Sequence, residues 1–399
     1  MNGSDGMEKG RECGPSFGFP QFASTGGSRH KRCKPLCAAG RLTIVAWNVE
    51  WLFDGIDDPL PVPPRAVAKV APKLAALARV LNELDADIVH LAEVENCGIL
   101  ESLAGSLNGS YKPLMISGTD SHLRQQVALL SRISPVSALT RSDERVELTT
   151  GSTGVSKHLI ADFSIGDRKL QVIGLHLKAH PYNEHSCIQR EGQARIVQKL
   201  IQEALSHGKD VIVLGDFNDF DPQVPGPRNE RPRSSVLQML TDINGDGEQD
   251  MWNVLSLVPR SERYTSWHDT DKDGRFQFAT ERSLIDHVLV SESLRGAVQA
   301  VGIHHQHDPT EVSDHWPIWL QLNLHAEPSG TVVRPKASSF HWLFIGLALL
   351  AFASCAASHL LFRKQKAPIA YIYIYISIRR LTCRRCRRQQ PAASGRCRL

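Results

Sequence analysis

Polar side chains that can bind metal ions or transfer protons follow short apolar runs at five places in this 399-residue chain. The segments, the last of them a pair, are WNVEW (47–51), HLAEVEN (90–96), GLHLKAH (174–180), GDFND (215–219), and LIDH (284–287) with SDHWP (313–317). Such a pattern predicts buried strands that end in loops, and ligands of open α/β folds bind at strand ends. We therefore expect these segments to meet at one face of the molecule.

The carboxylates in these segments favour a divalent cation. Glu93, Asp216 and Asp314, with the amide oxygen of Asn48, are hard oxygen ligands of the kind that Mg²⁺ prefers. Carboxylates that converge on one point repel one another unless a cation neutralises them. The set predicts metal-assisted hydrolysis of a phosphate ester.

Two histidines and a second asparagine could complete this chemistry. His176 and His315 belong to a residue type that titrates near neutrality and can transfer protons. Asn218 can hold a phosphate or a water molecule without adding charge. Any one segment alone is better explained as a solvated loop or a turn, but five in succession at strand ends favour an active site. The chain contains neither a GxSxG nor a GxxxxGK[ST] motif, so serine-hydrolase and P-loop chemistry find no support.

The motifs WNVEW, AEVEN, GLHLKAH, GDFND, IDHVLVS and SDHWP resemble those of the endonuclease/exonuclease/phosphatase superfamily, which includes deoxyribonuclease I and exonuclease III. The resemblance covers about residues 42–325, and GDFND with SDHWP is its most specific part. It implies an α/β fold, a four-layer sandwich of two packed mixed β-sheets flanked by helices. It also implies phosphoester cleavage that depends on Mg²⁺ or Mn²⁺.

The resemblance also assigns roles to the metal-binding residues. It implies that Glu93 is the principal metal ligand, that Asn48 lies close to metal and phosphate, and that Asp314 lies near the metal. Asp216, a further metal ligand, would orient the attacking water and the scissile phosphate together with Asn218. The number of metal ions stays open.

For proton transfer, the resemblance implies that His315 is the general base or acid and that Asp286 orients it. His176 would donate to a phosphate oxygen or protonate the leaving group. The Trp-Cys-Asp-Arg signature of inositol polyphosphate 5-phosphatases is absent, and Ile285-Asp286-His287 stands in its place.

Two acidic loops match the opening of a calcium-binding loop, D-x-[DN]-x-D-G. Their candidate ligands are Asp242, Asn244 and Asp246 in the first loop and Asp269, Asp271 and Asp273 in the second. The twelfth position of each holds Asn253 or Thr280 in place of glutamate. The alternatives are structural Ca²⁺ at one or both loops, or two solvated turns.

Beyond the catalytic region, the sequence predicts a membrane anchor. Residues 326–341 are expected to be a linker, and residues 342–362 are apolar and uncharged over a length that spans roughly 30 Å as a helix. Residues 363–399 form a basic, low-complexity tail in which tyrosine and isoleucine alternate over 371–376. A repeated TA dinucleotide encodes such a run, so the tail is hypothesised to be translated non-coding sequence. Residues 1–41 are predicted to be a disordered arm.

The orientation of this single-pass protein stays open at the sequence level. A basic tail in the cytosol places the catalytic domain outside the cell or in a lumen. A tail-anchored protein with a cytosolic domain conflicts with that charge. Ser329-Gly330-Thr331, before the apolar run, resembles a lipid-anchor attachment signal, although Arg363-Lys364 argues against this reading.

Charge and composition narrow the choice of function. The net charge of +4 conceals eleven Lys and Arg with no acid in 363–399 and a net −11 over 42–362, so the overall balance is no evidence for nucleic acid. A membrane-anchored endonuclease or exonuclease, expected to be a monomer, is the leading prediction. A phosphatase or phosphodiesterase acting on inositol or sphingo/phospholipids is the alternative, and a catalytically inactive binding module is a third.

The cysteines do not predict a disulfide scaffold. Cys97 and Cys187 are the two within residues 42–325, and each follows a segment expected at the active face. The sequence leaves open whether they form a bridge or remain buried thiols.

Overall fold

The computed structural model of the protein describes residues 7–9, 11–13, 40–56, 70–149 and 151–325. The linker, membrane helix and tail predicted over 326–399 lie outside the described residues. Within the described residues, no helix is long and apolar enough to cross a bilayer.

The strands of the described residues are, in chain order, β1 (Met7–Lys9), β2 (Arg11–Glu12), β3 (Arg41–Leu52), β4 (Ile88–Val94), β5 (Lys112–Met115), β6 (Gln126–Ser131), β7 (Thr140–Ser142), β8 (Arg145–Leu148), β9 (Gly151–Gly154), β10 (His158–Ile165), β11 (Arg168–His176), β12 (Asp210–Asp216), β13 (Met251–Asn253), β14 (Ser266–Trp267), β15 (Arg282–Ser283), β16 (Asp286–Ser291), β17 (Val298–Ile303) and β18 (Ile318–Asn323). The α-helices are α1 (Val70–Leu84), α2 (Cys97–Gly105), α3 (Glu184–Ser206), α4 (Val236–Thr241) and α5 (Glu292–Arg295), and 3₁₀ turns occupy Val254–Leu257 and Arg260–Glu262.

Most of these strands form two seven-stranded mixed sheets. The first sheet has the order β17-β18-β3-β4-β6-β5-β2, and the second has the order β1-β7-β10-β11-β12-β16-β13. Each sheet has one parallel pair at its centre, β3 with β4 and β11 with β12, and its other pairs are antiparallel. Parallel neighbours end at the same edge of a sheet, so each central pair brings two candidate motifs together.

Apolar side chains hold the sheets and helices in four layers. Side chains of both sheets, such as Ile44 and Leu214, form one buried cluster between the sheets. The outer face of the first sheet packs against α1 and α2, and that of the second against α3 and α4. The predicted sandwich of two packed sheets flanked by helices is therefore confirmed.

The sheets approach closely beneath the motif-bearing strand ends. The ring of His90 on β4 points at Gly174 on β11, where an added Cβ would lie 2.3 Å from the ring. Gly215 on β12 adopts a φ of 130°, and a Cβ there would clash with the carbonyl of Leu175. Only glycine fits both positions, so the glycines of GLHLKAH and GDFND set how the sheets meet.

Part of the N-terminal segment is ordered against the sandwich, in contrast to the disorder predicted for residues 1–41. β1 pairs with β7 at an edge of the second sheet, and β2 pairs with β5 at an edge of the first. Cys13 forms a disulfide with Cys97 at the start of α2. Backbone pairing at sheet edges needs no apolar pattern, which is why composition gave no sign of it.

Candidate active site

The ends of β3 and β4 carry Asn48 and Glu93 on an irregular backbone. The register of this pair shifts between Asn48 and Leu52, and Glu50, Trp51 and Glu93 have positive φ angles of 47°, 50° and 67°. Non-glycine residues seldom adopt this conformation, and such strain is concentrated at functional sites. Glu93 Oε2 accepts hydrogen bonds from the Trp51 backbone N–H at 3.0 Å and from Gln125 Nε2 at 2.9 Å.

Asn48 joins the two sheets through its side chain. Its Nδ2 donates to Glu93 Oε1 at 3.2 Å and to Asp216 Oδ2 at 3.1 Å, while its Oδ1 accepts the Glu50 backbone N–H at 3.0 Å. The sequence predicts the amide oxygen as a metal ligand. That role stays a prediction; in the structure the amide nitrogen holds a carboxylate of each sheet.

Asp216 and Asn218 lie together at the end of β12. Asn218 has a φ of 51°, and its backbone N–H donates to Asp216 Oδ1 at 2.8 Å. Its Nδ2 donates to the carbonyl of Leu177, the residue after His176, at 3.2 Å. The GDFND and GLHLKAH segments are thus hydrogen-bonded to each other, as adjacent parallel strands require.

Asp286 and His315 form the hydrogen-bonded pair that the resemblance implies. His315 Nδ1 lies 2.7 Å from Asp286 Oδ2, and both side chains are buried. The Asp286 backbone N–H donates to Thr265 Oγ1 at 3.1 Å, and the His315 N–H donates to Ser313 Oγ at 3.1 Å. Each residue of the pair is therefore also held through its backbone N–H group.

The other ring nitrogen of His315 faces the predicted metal-binding acids. Nε2 lies 3.9 Å from both Asp216 Oδ2 and Asp314 Oδ1. Burial favours the neutral ring, but the charge and hydrogen bond of Asp286, aided by the other two carboxylates, hold the pKa of His315 well above 6.5. An imidazolium at this position would donate a hydrogen bond or a proton to a phosphate bound beside these carboxylates.

Unbalanced negative charge marks the centre of the site. Burial and the charge of Asp286 raise the pKa of Asp216 to about 7. Desolvation and the charges of Glu50 and Glu93 raise the pKa of Asp314 to about 8. These donors fit a divalent cation, because it would remove the repulsion that keeps protons on both carboxylates.

His176 is buried beside Asp216 in a different protonation state. Its Nε2 lies 3.6 Å from Asp216 Oδ2. Burial lowers its pKa well below 6.5, helped by the charges of Lys157 and His315. A neutral ring can donate one hydrogen bond to a phosphate or a leaving group without adding charge.

The structure therefore gathers the main predicted site residues at one face and adds others. Gln125 holds Glu93, and Thr265 and Ser313 hold the Asp286–His315 pair. Ser313 also donates to the Asn48 carbonyl at 2.7 Å and so ties the last motif to the first. Ser313 stands within SDHWP and could have been noticed, but nothing in the sequence marks Gln125 or Thr265.

The two predicted calcium loops lie outside this centre. Ligand atoms of Asp269, Asp271 and Asp273 lie within 4.8 Å of one another. In the first loop the carboxylate of Asp242 accepts the backbone N–H groups of Gly245, Asp246 and Gly247. Asn244 Oδ1 likewise accepts the Asp246 N–H at 2.9 Å. Calcium at either loop stays a prediction.

A bridge between Cys97 and Cys187 is not formed. Cys97 pairs with Cys13, which the backbone hydrogen bond of Cys13 to Pro113 on β5 places beside α2. Cys187 is a buried free thiol on α3, where Arg190 Nη2 donates to its sulfur at 3.2 Å. The two cysteines lie on helices of opposite outer layers, which is why they do not meet.

Comparison with known proteins identifies one matching family. The model of the endonuclease/exonuclease/phosphatase family matches residues 45–315, more than half of the chain. No curated protein matches the sequence significantly.

Similar solved structures include TDP2 from C. elegans, with 19% identity, TM-score 0.45, and coverage of 71% of this chain and 75% of that one. A humanized D. rerio TDP2 has 17% identity, TM-score 0.46, and coverage of 71% and 99%. An endonuclease/exonuclease/phosphatase from Bacteroides vulgatus has 15% identity, TM-score 0.46, and coverage of 71% and 98%.

Proposed function

The chain belongs to the endonuclease/exonuclease/phosphatase family, and from this membership and the geometry of its site we propose a divalent-metal-dependent phosphodiesterase that cleaves nucleic acid. One observation carries the proposal. The hydrogen-bonded His315–Asp286 pair directs its free ring nitrogen at two acids, Asp216 and Asp314, each 3.9 Å away. A proton donor beside a cation-binding cluster is the arrangement that phosphodiester cleavage requires.

Glu93, Asp216 and Asp314 would hold Mg²⁺ or Mn²⁺, which when bound neutralises the phosphate and polarises its oxygens. Asn48 keeps Glu93 and Asp216 together through its two hydrogen bonds. Asn218 positions the carboxylate of Asp216 from the other side.

We assign the proton transfers to Asp216 and His315. Asp216 accepts a proton from the attacking water. His315, held as an imidazolium by Asp286, gives its proton to the leaving oxygen as the P–O bond breaks. His176, a neutral ring, donates a hydrogen bond to a phosphate oxygen and transfers no proton.

The purified protein tests this assignment when it is incubated with Mg²⁺, Mn²⁺ or EDTA and single-stranded DNA, plasmid, RNA or phospholipid. We expect cleavage of nucleic acid that EDTA abolishes and that Asp216→Ala and His315→Ala abolish without unfolding the protein. Cleavage of phospholipid alone would establish the lipid phosphodiesterase in its place. A folded protein that cleaves nothing would favour a binding module.

We also propose that residues 342–362 anchor the protein and that the catalytic domain faces a lumen or the cell exterior. The apolar run supports an anchor, and the Cys13–Cys97 disulfide suits an oxidising compartment. An epitope placed in the exposed loop at residues 245–248 should be labelled on intact cells or, after permeabilisation, inside a lumenal compartment. Labelling only after permeabilisation, with no signal from a lumenal compartment, would contradict this orientation.

A further inference from the structure

Arginines and exposed aromatic rings form a continuous surface beside the catalytic centre. We name it the arginine rim and define it by Arg228, Arg233 and Arg282 with Tyr182 and Phe278. Tyr182 is 48% and Phe278 52% exposed, values that are unusual for large apolar side chains of the described residues. The rim lies within a region that carries a net negative charge.

Hydrogen bonds and a cation–π contact join the residues of the rim in two groups. Arg233 Nη1 donates to the carbonyl of Tyr182 at 3.1 Å, and Arg228 Nη1 approaches the carbonyl of Arg282 at 3.5 Å. The guanidinium of Arg282 lies 3.6 Å from the ring centre of Phe278. The charges of Arg228 and Arg233 both act on the Tyr182 hydroxyl, whose pKa burial raises, so the two groups are neighbours and arginines lie between the two exposed rings.

Both ends of the rim are connected to the active site. The ring of Tyr182 contacts that of Phe220, two residues after Asn218, with 5.3 Å between centres. Arg282 on β15 lies 5.0 Å from the ring of Tyr264, and the next residue, Thr265, accepts the backbone N–H of Asp286. Each group of the rim therefore contacts a residue that lies next to the catalytic loops in the chain.

The arginines of the rim are more exposed to solvent than the acid beside them. Glu230, whose carboxylate lies 3.7 Å from Arg228 Nε, has a side chain that is only 4% exposed. Arg233 is exposed, and its guanidinium is bonded to a carbonyl rather than to an acid. The accessible groups are therefore cationic and aromatic. The acids Asp271 and Asp273 lie in the loop that precedes Phe278 and limit the surface on that side.

We propose that the arginine rim binds the unpaired strand of a single-stranded nucleic acid, with Arg228 and Arg233 on phosphates and Tyr182 and Phe278 stacked on bases. The inference rests on the proposed function and specifies its substrate. Unpaired bases expose the faces that aromatic side chains need, whereas a duplex hides them. A lipid surface would favour a contiguous apolar patch, and here arginines separate the two exposed rings.

Binding is measured by fluorescence anisotropy with a labelled single strand and the matching duplex. The full-length protein carries His315→Ala so that it does not cleave the labelled strand during the measurement. Arg228→Gln/Arg233→Gln should weaken binding of the single strand about tenfold and lower the slope of log K against log salt by about 1.4, since each single-strand phosphate contact contributes about 0.7. Phe278→Ser should weaken it about fivefold to 100-fold with an unchanged salt slope. Arg79→Gln/Arg195→Gln, two exposed arginines on α1 and α3, is the charge-matched control.

Hydrolysis of bis(p-nitrophenyl) phosphate by the same variants with His315 intact separates the rim from catalysis. We expect unchanged rates for this small diester and a lower kcat/KM for the single strand. The proposal would be overturned if the rim variant and the control variant bound the single strand equally well. It would also be overturned if the parent protein bound the duplex as tightly as the single strand. Capture by anionic vesicles that depends on the rim, without single-strand binding, would overturn it in favour of a membrane surface. A parent protein that binds the strand but hydrolyses nothing would contradict the proposed function and leave the rim supported.

Discussion

At the scale of single residues, the site depends on how Asp286 controls His315. The two residues are 29 positions apart in the chain, and their side chains meet at 2.7 Å because β16 begins at the same face where the segment before β18 lies. Asp286 fixes the ring and raises its pKa through charge and hydrogen bond. Neutralising the aspartate while keeping its shape should therefore affect catalysis more than folding.

Asp286→Asn tests this dependence. We expect kcat for a phosphodiester to fall by a factor of about 10² to 10⁴, the range that positioned proton transfer contributes, because His315 loses its charged state. KM should change little, and the basic limb of the pH–rate profile should move to lower pH. Thermal unfolding of the variant is the control for folding. An unchanged pH profile would show that Asp286 does not set the pKa of His315.

The raised pKa values of Asp216 and Asp314 predict how stability depends on pH and metal. Both carboxyls bind protons in the folded state well above the unfolded value of 3.8, so their contribution to stability is lost as pH rises through about 7 and 8. His315, whose pKa is also raised, acts in the same direction. The buried His90 and His176 have lowered pKa values and oppose this trend only at lower pH, where unfolded histidines take up protons.

The measurable window is therefore pH 7 to 8.5. We expect the Tm of the metal-free protein to fall as pH rises across it and Mg²⁺ to raise the Tm more at pH 8.5 than at pH 7. Asp314→Asn should flatten the metal-free profile and reduce the effect of Mg²⁺. A metal-free Tm that rises with pH in wild-type protein would contradict the charge imbalance inferred for the site.

At the scale of elements, α3 holds two catalytic loops through one buried arginine. Arg190 is 0% exposed, and its Nε donates to Asp219 Oδ2 at 2.9 Å. Its Nη1 donates to the carbonyls of Lys178 and His180, and Nη2 donates to that of Pro181. The turn after His176 and the loop containing Asn218 are thus fixed to the same guanidinium.

Removing this guanidinium should be costly. Arg190→Leu is expected to destabilise the fold by about 3–5 kcal/mol, because Asp219 would remain buried without its partner. Arg190→Leu/Asp219→Leu should recover part of that loss, since no unpaired charge remains. Denaturant unfolding measures both variants. A double variant less stable than the single one would show that the carbonyl contacts of Arg190, rather than the ion pair, dominate.

Some of these elements and contacts can be predicted from the sequence, and others cannot. β3, β4, β11 and β12 are long apolar runs, so their existence and the polar residues at their ends follow from hydrophobic pattern. The roles of Asp286 and His315 came from motif resemblance. Contacts such as those of Arg190 and Thr265 could not be predicted, because they depend on which loops the tertiary fold brings together. The bulge that turns Glu93 toward Asn48 likewise has no pattern of its own.

At the scale of the whole molecule, the N-terminal segment links the two sheets. β1 extends the second sheet and β2, two residues later, extends the first. The disulfide from Cys13 then fixes this segment to Cys97, which starts α2 directly after Glu95 and Asn96. Asp54 connects the same region to β3, since its N–H donates to Glu95 and its carboxylate accepts Asn96 Nδ2.

This arrangement predicts that stability depends on the redox state. The disulfide spans 84 residues, and closure of so long a loop in the unfolded chain corresponds to about 4–5 kcal/mol in the chain-entropy model. Cys13→Ser and Cys97→Ser should each lower the free energy of unfolding by a large part of that amount without reductant.

With reductant, wild type and both variants should have the same free energy of unfolding, because the bridge is then absent from all three. Cys187→Ser, at a free buried thiol, should show the same loss in both conditions. A wild-type stability that reductant leaves unchanged would mean that the N-terminal strands are held by backbone pairing alone.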